Sequence, residues 1–171
     1  MPTSTYTPIA TNTLSSTAAS VTFSSIPSTY TDLVLVIVSA DSAGAFNQIS
    51  FRVNGDASTI YSWTSLYGNG TSAASNRESS GSRTYGTIAW NSAQNTTLGT
   101  SMSTAHFMNY ANTTTNKTIL SRSSNSANAV ETMVSLYAST SAMSSLVLYS
   151  ATSARLFAAG STFTLYGIKA A

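Results

Sequence analysis

The chain carries few groups able to move a proton or hold a metal. Its side-chain carboxylates are Asp32, Asp41, Asp56, Glu78 and Glu131, and its one imidazole is His106. No two of the acids stand at a close acid–base or metal-ligand spacing, although carboxylates distant in sequence can converge in space. No Asp-x-Asp-x-Asp calcium loop occurs. One histidine cannot build a multi-histidine zinc site, and the absence of cysteine removes thiolate sites and disulfides. His106 could serve as the base of a Ser-His-Asp triad among so many serines, but no Gly-x-Ser-x-Gly elbow is present. The stretches GNGTSAAS and ESSGS contain glycine without the lysine and following helix of a phosphate loop. No catalytic residue, metal or cofactor is therefore expected, and the chain does not read as an enzyme. His106 reads as a hydrogen-bonded structural residue on the face of Met108 and Tyr110, and Asp32 and Asp56 as turn residues.

Aromatic side chains offer a different chemistry. Nine tyrosines and two tryptophans could stack on sugars or fill an interface. Tyr61 and Trp63 share one face of a strand pattern. With Arg83 and Trp90 they form the candidate surface for a subunit or ligand, although core packing is the commoner use of such rings. The matches to the glycan-acceptor pattern at Asn69, Asn95, Asn112 and Asn116 are expected by chance in a Thr-rich chain.

The composition narrows the partners. Charged residues make up 7% of the 171 residues, against about 25% in an ordinary soluble domain. The hydrophobic share of 42% is near normal, which argues for a folded domain rather than disorder. A net charge of +2 is spread over Arg52, Arg77, Arg83, Lys117, Arg122, Arg155 and Lys169. Nucleic acid would call for several clustered cations, so no nucleic-acid partner is expected. The opening MPTSTYTPIATNT has no basic or apolar leader pattern. The longest apolar run, LVLVIV (Leu33, Val34, Leu35, Val36, Ile37, Val38), is far short of the ~20 residues of a membrane helix. No membrane partner is expected, and synthesis in a cytoplasm without export is the default.

The elements that must position these residues read as strands. Thr, Val, Ile and Tyr recur in short alternating runs, the period-two mark of a half-buried strand. In NQISFRVNGD, Ile49, Phe51 and Val53 face one way. Asn54-Gly55-Asp56 then signals a turn, with TIYSWTSLYGNG as the return strand. Further candidates are Ala19–Phe23, Leu33–Val38, Thr84–Trp90, Thr104–Tyr110, Thr118–Ser123, Val130–Ala138, Ser145–Ser150 and Ser161–Lys169, with TSAASNRESSGS as a loop. About eight to ten strands without a fixed repeat predict an all-β, jelly-roll-like antiparallel sandwich. Residues 13–171 form the single domain of this reading, and residues 1–12 an extended N-terminal arm. Leu33–Val38 reads as a central strand covered on both faces, by loops or by another subunit.

Four segments in order carry a resemblance over nearly the whole chain. They are YTPIATNTLSSTAASVTFSSIPSTYTDLVLVI, FRVNGDASTIYSWTSLYGNG, MNYANTTTNKT and LYASTSAMSSLVLYSATSARLFAAGSTFTLYGIK. NGD…YSW…GNG and the terminal FTLYGIK are the most specific parts. In these the chain resembles a family of tailed-bacteriophage jelly-roll virion proteins, found as capsid decoration (cement) proteins and as tail-fibre modules. This chain has Thr64 and Tyr137 where many relatives would carry a histidine and a tryptophan.

The resemblance implies a virion structural protein, usually a homotrimer, seated on the major capsid protein at the capsid exterior. Met1, Pro2, Thr3, Ser4 and Tyr6 of the arm would then be the capsid contact. The alternative it implies is a tail-fibre or receptor-binding module. There the stretches Thr71–Ser82 and Asn91–Thr100 and the aromatic rings would meet a host surface glycan. With five carboxylates and one imidazole to titrate, stability is expected to be flat between about pH 4 and 9 in a denaturant series. A sharp loss near pH 6 would instead mark His106 as a buried switch.

Overall fold

In the computed structural model, Leu33, Leu35 and Ile37 are fully buried, while Val38 on the opposite face is 39% exposed. The apolar run is thus a strand with one inward row, and its other row faces outward. The structure describes residues 5–42, 47–93, 100–125, 129–151 and 155–169. Within them lie twelve strands and no helix. They are β1 (Tyr6–Thr13), β2 (Ser20–Phe23), β3 (Asp32–Ser39), β4 (Asn47–Val53), β5 (Tyr61–Gly68) and β6 (Ala73–Arg83). Then follow β7 (Gly86–Ala93), β8 (Ser101–Phe107), β9 (Lys117–Asn125), β10 (Val130–Tyr137), β11 (Leu146–Tyr149) and β12 (Thr162–Ile168).

An eight-stranded antiparallel sheet, β1-β12-β3-β8-β9-β10-β5-β6, packs on a four-stranded one, β2-β11-β4-β7. The protein is an all-β, jelly-roll-like sandwich. Two strands exceed the expected number. Residues 6–12 of the expected extended arm, together with Thr13, pair with β12 as β1, and Met1, Pro2, Thr3 and Ser4 lie outside the described residues. The stretch expected as a loop, TSAASNRESSGS, is largely β6, paired with β5 from Gly68↔Ala73 to Tyr61↔Arg83. Its composition disfavours a strand, but an open edge beside it supplies a ladder of partners, and context outweighs intrinsic preference in sheets.

The turn at Asn54-Gly55 forms as expected, with φ of 53° and 69° and a bond from Asp56 N–H to Val53 C=O. It does not return a hairpin strand, however. β4 belongs to the small sheet and β5 to the large one, so this corner carries the chain across the sandwich. Side chains brace it. Asn54 donates to Ala142 C=O and accepts from the N–H groups of Ser144 and Ser145. The Tyr61 hydroxyl donates to Asp56 C=O and accepts from Val53 N–H, and Tyr137 donates to the Asp56 carboxylate.

The core joins the sheets ring to ring. Phe51 of β4 meets Phe107 of β8 and Tyr61 of β5 edge-on, with centroids 5.6 and 6.1 Å apart. Gly86 of β7 lies under the Phe51 ring, where an added Cβ would come within 2.1 Å of it.

Strand β7 lies at the end of the small sheet, so half its backbone groups turn away from β4. These meet buried side chains of the large sheet. Ser135 of β10 donates to Thr87 C=O at 2.6 Å and accepts from Thr87 N–H. Ser121 and Ser123 of β9 both donate to Ile88 C=O, and Glu131 accepts from Trp90 N–H at 2.9 Å. A buried backbone group without a partner costs about 1–3 kcal/mol. Ser135→Ala should therefore lower unfolding stability by about that much, read from the denaturant midpoint at unchanged slope. Gly86→Ala should cost about 1–3 kcal/mol through overpacking against Phe51.

Candidate functional site

The four residues expected to form one surface do not do so. Tyr61 is fully buried and stacks on Tyr137 at 5.0 Å, and Trp63 is 3% exposed. Both are core residues, because the inward row of β5 runs Tyr61, Trp63, Ser65. Trp90 packs on Trp63 at 5.1 Å between centroids. Arg83 is half-buried, ion-paired with Glu78 and set over the Tyr85 ring. Of the expected contact arm only Tyr6 is described. It is exposed at one end of β1, its ring edge-on to Tyr166.

His106 is hydrogen-bonded, as expected, through Nε2 to the Asp32 carboxylate at 3.0 Å. The other Asp32 oxygen accepts from Asn109 N–H at 2.6 Å. This pair secures the end of β8, where Asn109 has a φ of 52°. The turn breaks the alternation, so Tyr110 points inward, fully buried, and does not share the face of His106 as its spacing had suggested.

Every side-chain carboxylate of the chain is engaged internally. Asp32 holds His106, and Asp41, with no exposed side-chain surface, lies 3.7 Å from Arg155. Asp56 accepts from Ser58 N–H and Tyr137, Glu78 pairs with Arg83, and buried Glu131 accepts from Trp90 N–H. Among the described residues no three His, Asp or Glu side chains gather into a metal site. Lys117 is buried, and its ammonium donates to the carbonyls of Asn112, Thr115 and Thr140. The oxygens of Asn69 and Asn112 cap their own loops by accepting from N–H groups two and three residues on.

The surface that stands out is the outer face of the eight-stranded sheet. Cross-strand register aligns Val34, His106, Leu120, Val134 and Thr64 in one row. The next row runs Val36, Thr104, Arg122, Thr132, Leu66, and a third runs Val38, Met102, Ser124, Val130, Gly68. Leu66, Val130 and Met102 are 63%, 62% and 53% exposed. They edge a shallow depression of about 950 Å³ that also takes in Thr104, Arg122 and Thr132. Sequence reasoning missed this patch. Its signal was the second apolar row, Val130 and Val134, on a strand whose other row is buried. Alternation alone does not say which row is left outside.

Burial also sets the alkaline limit of the fold. Desolvation pushes the hydroxyls of Tyr61, Tyr110, Tyr137 and Tyr149 above their ordinary value of 10.0. A group raised in the folded state contributes stability that is present below its unfolded value and lost as pH climbs past it. Desolvation lowers Lys117, whose contribution runs the other way. Hydrogen bonds from Ser58, then Tyr137, hold Asp56 below its ordinary value of 3.8, so its contribution is lost only in stronger acid. Denaturant midpoints should thus stay level from about pH 4 to 9 and fall above about pH 10. Replacing Tyr149 by Phe should reduce that alkaline fall.

Among the described residues no helix is long and apolar enough to cross a membrane. Compared with known proteins, the sequence matches no family model, no curated protein and no solved structure. The likeness to phage virion proteins rests on the quoted segments alone.

Proposed function

We propose that this chain is a structural component of a bacteriophage particle. It acts as a capsid decoration (cement) protein that seats as a homotrimer on the outer shell and stiffens it. The observation that carries this reading is the outer face of the eight-stranded sheet, with Leu66, Val130 and Met102 more than half exposed. An apolar patch of this kind on a water-facing sheet marks a contact surface. The reading is also supported by the resemblance of the quoted segments and by a fold that spends its carboxylates on internal bonds. Bound to assembled capsomers and not to free ones, such a protein stabilises the shell by linkage. The tail-fibre reading has less support, since Tyr61 and Trp63 are buried and offer no platform for a glycan.

The test compares particles with and without this chain. Decorated shells should retain their DNA at temperatures where undecorated shells release it, and adding the purified chain should restore the difference. Equal heat resistance of the two would refute the cement role, and localisation of the chain on tails would move it to the fibre.

A further inference from the structure

We infer that the outer face of the eight-stranded sheet docks an acidic protein partner, with Arg122 as the charged anchor among Leu66, Met102 and Val130. This deepens the proposed shell-binding role and rests on it.

The argument begins with charge. Arg122 is exposed in the middle of the depression, between Thr104 and Thr132 on the neighbouring strands. Its guanidinium makes no hydrogen bond or ion pair among the described residues. Arg77 lies on the same face, opposite Thr64 at the β6 edge, and its side chain is equally unpaired there. A planar guanidinium beside apolar side chains is the commonest charged anchor of protein interfaces and binds carboxylates in a two-pronged fashion.

Another copy of the chain is poorly equipped to answer that charge. Its five side-chain carboxylates are all held internally, by His106, Arg155, Ser58 with Tyr137, Arg83, and Trp90 N–H. A second copy laid on this face would bring mainly hydroxyls, aliphatic groups and further arginines, and the Asp32 carboxylate beside it is already held by His106 and Asn109 N–H. A carboxylate from a different chain, free of such internal bonds, is the better match.

The remaining chemistry favours protein over the other polyanions. Two separated arginines fall short of the clustered cations that a phosphate backbone demands. The depression is edged by Leu66, Val130 and Met102, aliphatic groups that suit a protein's apolar side chains better than the faces of sugar rings. Eight strands at ~4.8 Å spacing make the sheet about 34 Å across, wide enough for the ~800 Å² per partner of a stable interface.

The experiment uses shells and tails separated from particles that lack this chain, each mixed with purified protein and sedimented. The wild type should pellet with shells. Arg122→Glu and Val130→Asp should each reduce the bound fraction about ten-fold or more. Lys169→Glu, three strands away beside Tyr30, should bind as wild type does. Thermal melting and sedimentation velocity confirm that each variant keeps its fold and oligomeric state, and Arg122→Gln replaces the reversal if that variant misfolds.

Undiminished shell binding by Arg122→Glu and Val130→Asp overturns the inference and leaves the shell role standing. A change in self-association by either variant also overturns it, because the face would then be covered by a second copy. Arg122-dependent retention on DNA or polysaccharide in place of shells overturns it as well. Arg122-dependent binding to tails alone upholds the docking surface and removes the shell role, and binding to neither removes both.

Discussion

Strand β7 has a ladder partner on one side only, and its remaining backbone groups point into the interior, away from water. Their partners are Ser121, Ser123, Ser135 and Glu131, all buried on β9 and β10. Small hydroxyl side chains serve two purposes here. They let the end strand of one sheet settle closely onto the face of the other, and they complete its hydrogen bonds. A larger aliphatic residue would do neither. The sandwich closes at this end through polar contact, while Phe51, Phe107 and Tyr61 close it elsewhere through ring packing.

This arrangement gives a physical reason for the hydroxyl-rich composition. Serine is ordinarily a surface or turn residue, yet in this chain a row of serines lies in the core. Ions are used in the same internal way. Lys117 ties two loops by their carbonyls, and Asp32, Asp41 and Asp56 each fix a neighbouring segment. With its carboxylates turned to internal bonds, the molecule presents a surface of hydroxyls, amides and aliphatic side chains with little negative charge.

The outer face of the large sheet is where that surface becomes informative. On β3 the inward row is Leu33, Leu35 and Ile37 and the outward row is valine; on β10 Val130 and Val134 also point out. A sheet with apolar groups on both sides and only one side covered is suited to assembly. The burial expected on both sides of β3 is thus present on one, and the proposed partner would supply the other.

Local patterning was enough to place the all-β class, ten of the twelve strands, the Asn54-Gly55 turn and a hydrogen-bonded His106. Each of these depends on short-range signals: period-two patterning, a dipeptide tolerant of positive φ, a single imidazole in a strand of hydrogen-bonding neighbours. The strands β1 and β6 were hidden because their composition is that of a loop, and they become strands only where β12 and β5 offer a free edge. The roles of Tyr61 and Trp63 were hidden because alternation defines two faces without saying which is buried. Arg122 read as one scattered cation among seven. Only the register across β8, β9, β10 and β5 brought it beside Leu66, Met102 and Val130. Residue patterning determined which segments would be extended. Tertiary structure decided which side of each was covered, because burial depends on what another sheet, distant in sequence, lays against it.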